Sequence, residues 1–236
     1  MTKYGQYCPV AKSLEILGDH WTLLIIRDML TGTRHFNDLE RGLPRISRAL
    51  LASRLRQLRR AGVIDKRLIG TGRKTTEYQL TQAGQELFGV IMALRGWGEK
   101  WAFGDPTPDQ LDPVLLMWWL HNRVDMDQLP EQRVVAQFDF HGTAVVSFWL
   151  VLTRADVTLC LTDPGFDINL LVTADLATFY KVWGGRISYT EALNRYGVTV
   201  EGVPRLTRAF PHWFGWGVTE PTRAATPLPV TQFAPG

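Results

Sequence analysis

Between His35 and Leu80 the chain carries one fixed order of local patterns, and that order limits what it can fold into more than any other feature does. His35-Phe36-Asn37-Asp38-Leu39 opens a short helix with Asn37 or Asp38 near its cap, and Gly42-Leu43-Pro44 ends it in a tight turn. Ser47 is a natural N-cap for the next helix. Its apolar face is Leu50, Leu51, Leu55 and Leu58, and Ala61-Gly62 closes it. A β-rich run over Ile64–Ile69, the glycine-rich turn Gly70-Thr71-Gly72-Arg73-Lys74 and a returning run over Thr75–Leu80 follow as a hairpin. The expectation is helix, turn, helix, wing.

The second helix of that unit is heavily cationic. With the core leucines removed, Arg48, Ser53, Arg54, Gln57 and Arg56 occupy the remaining circumference. Arginine can reach guanine edges or phosphates, glutamine can pair with adenine and serine can bind a phosphate oxygen. Free N–H groups at the helix start add a site for phosphate. The candidate DNA contacts are Arg45, Ser47, Arg48, Ser53, Arg54 and Gln57, with Arg73 and Lys74 at the wing tip for a minor groove or phosphates. A solvated arginine face is the competing reading, and the helix, turn, helix, hairpin order weighs against it. Charge distribution points the same way. Residues 1–103 hold 17 Lys and Arg against 9 Asp and Glu, whereas residues 104–236 hold 9 against 14.

Upstream, Val10, Leu14, Leu17 and Trp21, then Leu24, Ile25 and Met29, recur at three- and four-residue spacing, as on the buried face of a helix or helix pair. Downstream, residues 81–101 read as helical, with Leu87, Ile91, Leu94 and Trp101 on one side as a packing or dimerisation surface. Gly104-Asp105-Pro106-Thr107-Pro108 then breaks the pattern. The expected organisation is a DNA-binding domain over 1–103, a linker over 104–111, a second domain over 112–218 and an extended or disordered tail over 219–236.

Several classes are disfavoured. The longest uncharged apolar stretch falls far short of the roughly 20 residues that cross a bilayer, so no membrane partner is expected. The first residues lack the apolar core of a signal peptide, which places the expected protein in the cytoplasm. Cys8 and Cys160 are the two cysteines, too few and too far apart for a disulfide framework or a structural zinc site. Neither HExxH, GxSxG, a P-loop nor a glycine-rich dinucleotide turn is present, so no catalytic residues, metal or cofactor are expected.

Cys8-Pro9-Val10, the run from Leu17 to Asp28, Arg34-His35-Phe36-Asn37-Asp38-Leu39 and the Ile46 to Gly62 run together resemble the HxlR family, relatives of MarR-type winged-helix regulators. The resemblance covers about residues 8–101. It implies a homodimer on a near-palindromic operator, with the helix from Ser47 in the major groove and the hairpin as wing. It also makes Cys8 a redox candidate, since some members resemble this chain in carrying an N-terminal sensing cysteine. The other reading of Cys8 is a small residue at a helix start.

From Asp112-Pro113, a good helix start, the second half reads helix, strands, helices. β-rich runs over 133–140, 144–153, 157–161 and 168–172 lead to the expectation of an antiparallel sheet. Residues 173–185, with Ile187 to Leu193 and Val198 to Gly202, resemble the sterol-carrier-protein-like fold, in which helices pack on one face of a sheet over an apolar cavity. That resemblance implies a small hydrophobic ligand, with Trp118, Trp119, Phe138, Phe140, Phe148, Phe179 and Trp183 as candidate contacts. Without it, these rings read as plain core. The expected fold class is α+β, a winged helix-turn-helix followed by an α+β domain of antiparallel sheet and helices. Two functions are open at this point: a DNA-binding regulator whose second domain binds a hydrophobic effector, or a carrier of apolar molecules that its winged helix merely anchors.

Overall fold

A computed structural model describes residues 3–70 and 75–216, so the wing-tip candidates Arg73 and Lys74 and the expected tail lie outside the described residues. Helices α1 (Pro9–Leu17) and α2 (Thr22–Leu30) meet at a turn in which Trp21 adopts a left-handed φ of 76°. That turn breaks the helical phase, and the apolar stripe expected to be buried throughout divides there. Ile25, Ile26 and Met29 are in the core, but Val10, Leu14 and Leu24 are exposed.

Helix α3 (Phe36–Gly42) has its cap two or three residues earlier than expected. His35 is its cap, held by its ring Nδ1 at 3.1 Å from the Thr76 carbonyl, while Asn37 and Asp38 sit inside the first turn. Helix α4 (Arg48–Arg60) starts at Ser47, whose Oγ accepts from the Leu50 N–H at 3.2 Å. It ends at Gly62, φ +72°, where the Val63 N–H donates to the Leu58 carbonyl and the Gly62 N–H to that of Arg59. Leu51, Leu55 and Leu58 bury one side of it.

Strands β1 (Ile64–Ile69) and β2 (Thr75–Leu80) pair antiparallel, Ile64 opposite Leu80. The hairpin is fastened at its base: the Tyr78 N–H donates to the Arg34 carbonyl at 2.8 Å, and Arg34 pairs at 3.1 Å with the buried Glu77. Beyond it, Leu87 separates α5 (Gln82–Glu86) from α6 (Phe88–Trp101). No residue of α6 is buried, and Val90, Leu94, Trp97 and Trp101 face solvent.

The C-terminal half comprises α7 (Pro113–His121), β3 (Val134–His141), β4 (Val146–Leu152), β5 (Val157–Cys160), β6 (Leu170–Asp175), α8 (Leu176–Trp183), α9 (Tyr189–Arg195), β7 (Thr199–Gly202) and α10 (Pro204–Ala209). Asp112 caps α7 by accepting from the Val114 and Leu115 N–H groups. The sheet order is β5-β4-β3-β6-β7. It is mixed rather than antiparallel, because β6 pairs parallel to β3. After edge strand β5 the chain crosses back to the far side of β3, the kind of long connection that a parallel pair requires. Residue patterning reports strands and their buried face but not their direction.

Alternation fixes that buried face. Ala136, Phe138 and Phe140 of β3 lie with Phe148, Leu150 and Leu152 of β4 and Leu170, Val172 and Ala174 of β6 under Phe179 and Val182 of α8, Leu206 of α10 and Phe210. A second core gathers Ile25, Ile26, Leu39, Leu51, Leu55, Leu58 and Ile64 in the N-terminal half, and the two share no residue. Among the described residues no helix is long and apolar enough to cross a membrane.

The halves meet where α3 approaches α7. A Cβ on Gly42 would sit 2.6 Å from Asp28 Oδ2, so a larger residue here would displace the buried carboxylate. The Arg41 and Arg27 guanidinium groups lie over the Trp118 and Trp119 rings at 5.3 and 6.0 Å. Asp28 is buried and its Oδ1 accepts from Arg27 Nε at 2.8 Å. Burial pushes its carboxyl above the ordinary carboxylate range, opposed by the charges of Arg27 and then Arg123.

A carboxyl with a raised folded-state pKa contributes stability that is fully present below its unfolded value, near 3.8, and is lost as pH rises through the folded value. Asp28→Asn does not titrate. Urea unfolding at a series of pH values from acid to neutral is therefore expected to show the wild type losing ground to Asp28→Asn as pH rises. A difference between the two that stays constant across the series would show that Asp28 ionises as freely folded as unfolded.

Candidate nucleic-acid interface

Helix α4 projects from the N-terminal core with one side unburied, flanked by its own N-terminus and by the hairpin. At 100° per residue, with Leu51, Leu55 and Leu58 inward, the positions directly opposite are Ala49, Ser53, Arg56 and Arg60. Arg56 and Arg60 are exposed and, among the described residues, neither is in an ion pair. Ser53 and Gln57 are half-buried beside them.

Arg54, Arg48 and Arg45 are engaged with the rest of the protein, whereas Arg59 is exposed on the flank of the helix. Arg54 is 16% exposed at its side chain and bonds to Asp19 Oδ2 at 2.7 Å, the His20 carbonyl at 3.1 Å and Gln57 Oε1 at 2.7 Å. It ties α4 to the turn between α1 and α2. Arg48 pairs with Glu40, donates to Asn37 Oδ1 at 3.4 Å and lies over the Phe36 ring at 5.0 Å, which fixes α3 against α4. Arg45 occupies the tight turn at φ 76° and donates to the Asp109 carbonyl in the linker at 3.4 Å. Ser47 spends its hydroxyl on the cap.

Of the residues expected from sequence, Ser53 alone therefore combines a place on the outer stripe with a side chain not otherwise used. Arg56 belongs to the circumference that the leucine spacing leaves open, and Arg60, one turn further on, shares its stripe. Arg54→Ala is expected to lower stability by about 2 kcal/mol, the scale of hydrogen bonds to a charged group that leave a buried partner unmade. Urea unfolding measures it. A cost near zero would mean that Arg54 is free to point outward.

The expected ligand set is not one site. Phe138, Phe140, Phe148 and Phe179 are fully buried and pack on one another, with Phe140 and Phe179 centroids 5.4 Å apart. Trp183 is buried beneath the Arg123 guanidinium at 4.6 Å. Trp118 and Trp119 are half-buried and turn toward the N-terminal half at the junction described above. Cys8 precedes α1, is half-buried and is a free thiol, as is Cys160 on β5.

Residues 16–105 match the HxlR-like helix-turn-helix family. An uncharacterized HTH-type transcriptional regulator of Mycobacterium tuberculosis is 41% identical over 100 residues, which are 42% of this chain and 61% of the relative. The chain thus spans less than two thirds of the length of that relative. YdeP of Bacillus subtilis, another uncharacterized HTH-type transcriptional regulator, is 34% identical over 94 residues, 40% of this chain and 73% of the relative. YvaP of the same organism, also an uncharacterized HTH-type transcriptional regulator, is 31% identical over 104 residues, 44% of this chain and 94% of the relative. Among solved structures, the reduced form of the transcriptional regulator YodB from B. subtilis aligns at 26% identity and a TM-score of 0.37, over 41% of this chain and 96% of that one. All of these matches are partial on the side of this chain, and the family assignment concerns its N-terminal half. Through that half, the chain belongs to the HxlR-like helix-turn-helix family.

Proposed function

We propose that the protein is a sequence-specific DNA-binding transcription regulator that acts as a homodimer. The observation that carries this reading is the outer stripe of α4, where Ser53, Arg56 and Arg60 face away from the core while Arg45, Arg48 and Arg54 are used to hold the unit together. Two cations with no internal ion pair on one helix face, beside a fastened hairpin, suit a major groove. Homodimer formation is supported by the apolar side chains that α1 and α6 leave in solvent, Val10, Leu14, Val90, Leu94, Trp97 and Trp101.

The C-terminal half is read as a sterol-carrier-like unit that takes a hydrophobic effector. Support comes from the layering, with α8 and α10 on one face of a five-stranded sheet. The aromatic cluster is closed, so an effector there has to part helices from sheet, and its binding energy must differ between DNA-competent and DNA-incompetent states.

Operator selection from fragments of the source genome, followed by a salt titration of the best site with and without fatty acyl and aromatic compounds, tests both parts. Tight, site-specific, salt-sensitive binding is expected, with at least one compound changing it. Absence of any preferred site removes the regulator reading. Site-specific binding indifferent to every compound removes the effector.

A further inference from the structure

A cavity of about 400 Å³ opens in the C-terminal half between the segment leading into β3, the turn after β4 and α10. Its walls carry two arginines from distant parts of the chain, Arg154 and Arg205, and its lining includes Trp213. The volume falls within the range of about 300–1,000 Å³ usual for small-molecule sites.

Three features make it more than a gap between side chains. First, each guanidinium is oriented by a single bond to the same rim segment: Arg154 Nε donates to the Leu129 carbonyl at 2.7 Å, and Arg205 donates to Gln132 Oε1 at 3.0 Å. A planar fork with five N–H groups is left with donors to spare on both sides. Second, Trp213 is fully buried, yet its indole Nε1 has no hydrogen-bond partner. Its position is rigid, since its carbonyl accepts from the Asp125 N–H at 2.8 Å and its ring packs edge-on against Phe210. The indole thus stands at a fixed place in the cavity wall, where its N–H resonance reports on what the cavity holds. Third, Leu206 and Ala209 give the lining an apolar portion, which inorganic anions do not need. Glu131 contributes one carboxylate at the rim and leaves a net single positive charge.

We propose that this cavity binds the carboxylate of a small organic acid, held by Arg154 and Arg205, with the apolar wall against the organic part. Arginine forks match a carboxylate bidentately, and oriented donors lose little entropy on binding. This binding does not depend on the DNA reading.

Benzoate is a suitable probe, with benzamide as its uncharged counterpart and sodium chloride at matched ionic strength. The readout is the Trp213 indole cross-peak in proton–nitrogen spectra of the full chain, assigned by its disappearance in Trp213→Phe. Benzoate is expected to shift that peak saturably while benzamide and chloride do not, and the double variant Arg154→Gln/Arg205→Gln to weaken the affinity at least about tenfold. Both arginines are exposed, so the double variant keeps the fold, which its other cross-peaks report. Absence of a saturable shift with benzoate overturns the proposal. So does an equal response to benzamide, or a benzoate affinity unchanged in the double variant.

Discussion

Replacing Arg56 and Arg60 together by alanine is expected to weaken operator binding on the order of a hundredfold at about 150 mM salt, while leaving the unfolding transition in place. The two side chains lie on the outer stripe of α4, exposed and, among the described residues, not in any ion pair, so their removal disturbs no internal contact. Each cation lost from a phosphate contact lowers the salt slope by roughly one, and each lost base contact costs about 1–3 kcal/mol. Fluorescence anisotropy on the selected operator at several salt concentrations separates the two cases. A shallower slope with uniform weakening on all sequences marks phosphate contacts, and an unchanged slope with relaxed sequence preference marks base contacts. Affinity unchanged in the double variant would remove α4's outer face as the DNA-reading surface.

That experiment gains its meaning from the contrast with Arg54. Both residues sit on one helix two positions apart, with the same side chain and the same formal charge. Arg54 meets Asp19, which is 35 residues earlier in the chain, and becomes part of the scaffold. Long-range partners of this kind leave no mark in local periodicity, which explains why the helix was legible and the roles of its arginines were not. Where a rule of local chemistry applies, the sequence read well. Ser47 caps α4, Gly62 closes it, and Asp112-Pro113 opens α7. Where the outcome depends on what packs from elsewhere, it did not. The parallel placement of β6 depends on a crossover, and the outward face of α1 depends on the left-handed turn at Trp21. Trp118 and Trp119, expected among ligand contacts, lie at the junction, beneath Arg41 of α3 and Arg27 of α2.

The junction also bears on how signals can pass between the halves. Arg27 follows directly from residues buried in the N-terminal core, and its guanidinium touches both Asp28 and the Trp119 ring. Trp119 in turn meets Tyr180 of α8 edge-on at 6.3 Å. Two side-chain contacts, Tyr180 with Trp119 and Trp119 with Arg27, therefore join α8 to α2. Such contiguity is a route and not yet a coupling, which requires that α2 have two arrangements of different DNA affinity.

Phe138→Ala is expected to lower the stability of the C-terminal half by about 3–5 kcal/mol, the cost of emptying a fully packed phenylalanine site. Phe138 has no exposed surface, lies on the central strand and meets Phe140, Phe179 and Phe210 with centroids 6.1 to 6.4 Å apart. Its ring cannot be replaced by relaxation from one side, because β4 and β6 clamp β3 from both edges. Since the N-terminal core contains none of these residues, operator affinity of the variant at low temperature is expected to persist while the C-terminal transition moves to lower urea. Loss of operator binding in step with that transition would instead show that the junction at Asp28, Gly42 and Trp118 makes the two halves one cooperative unit. A cost below about 1 kcal/mol would mean that the ring lines space rather than fills it, because only a side chain already facing a void can be truncated so cheaply. In that case an apolar compound should bind the wild type in the aromatic cluster, and the closed core described here would be one state of an opening pocket.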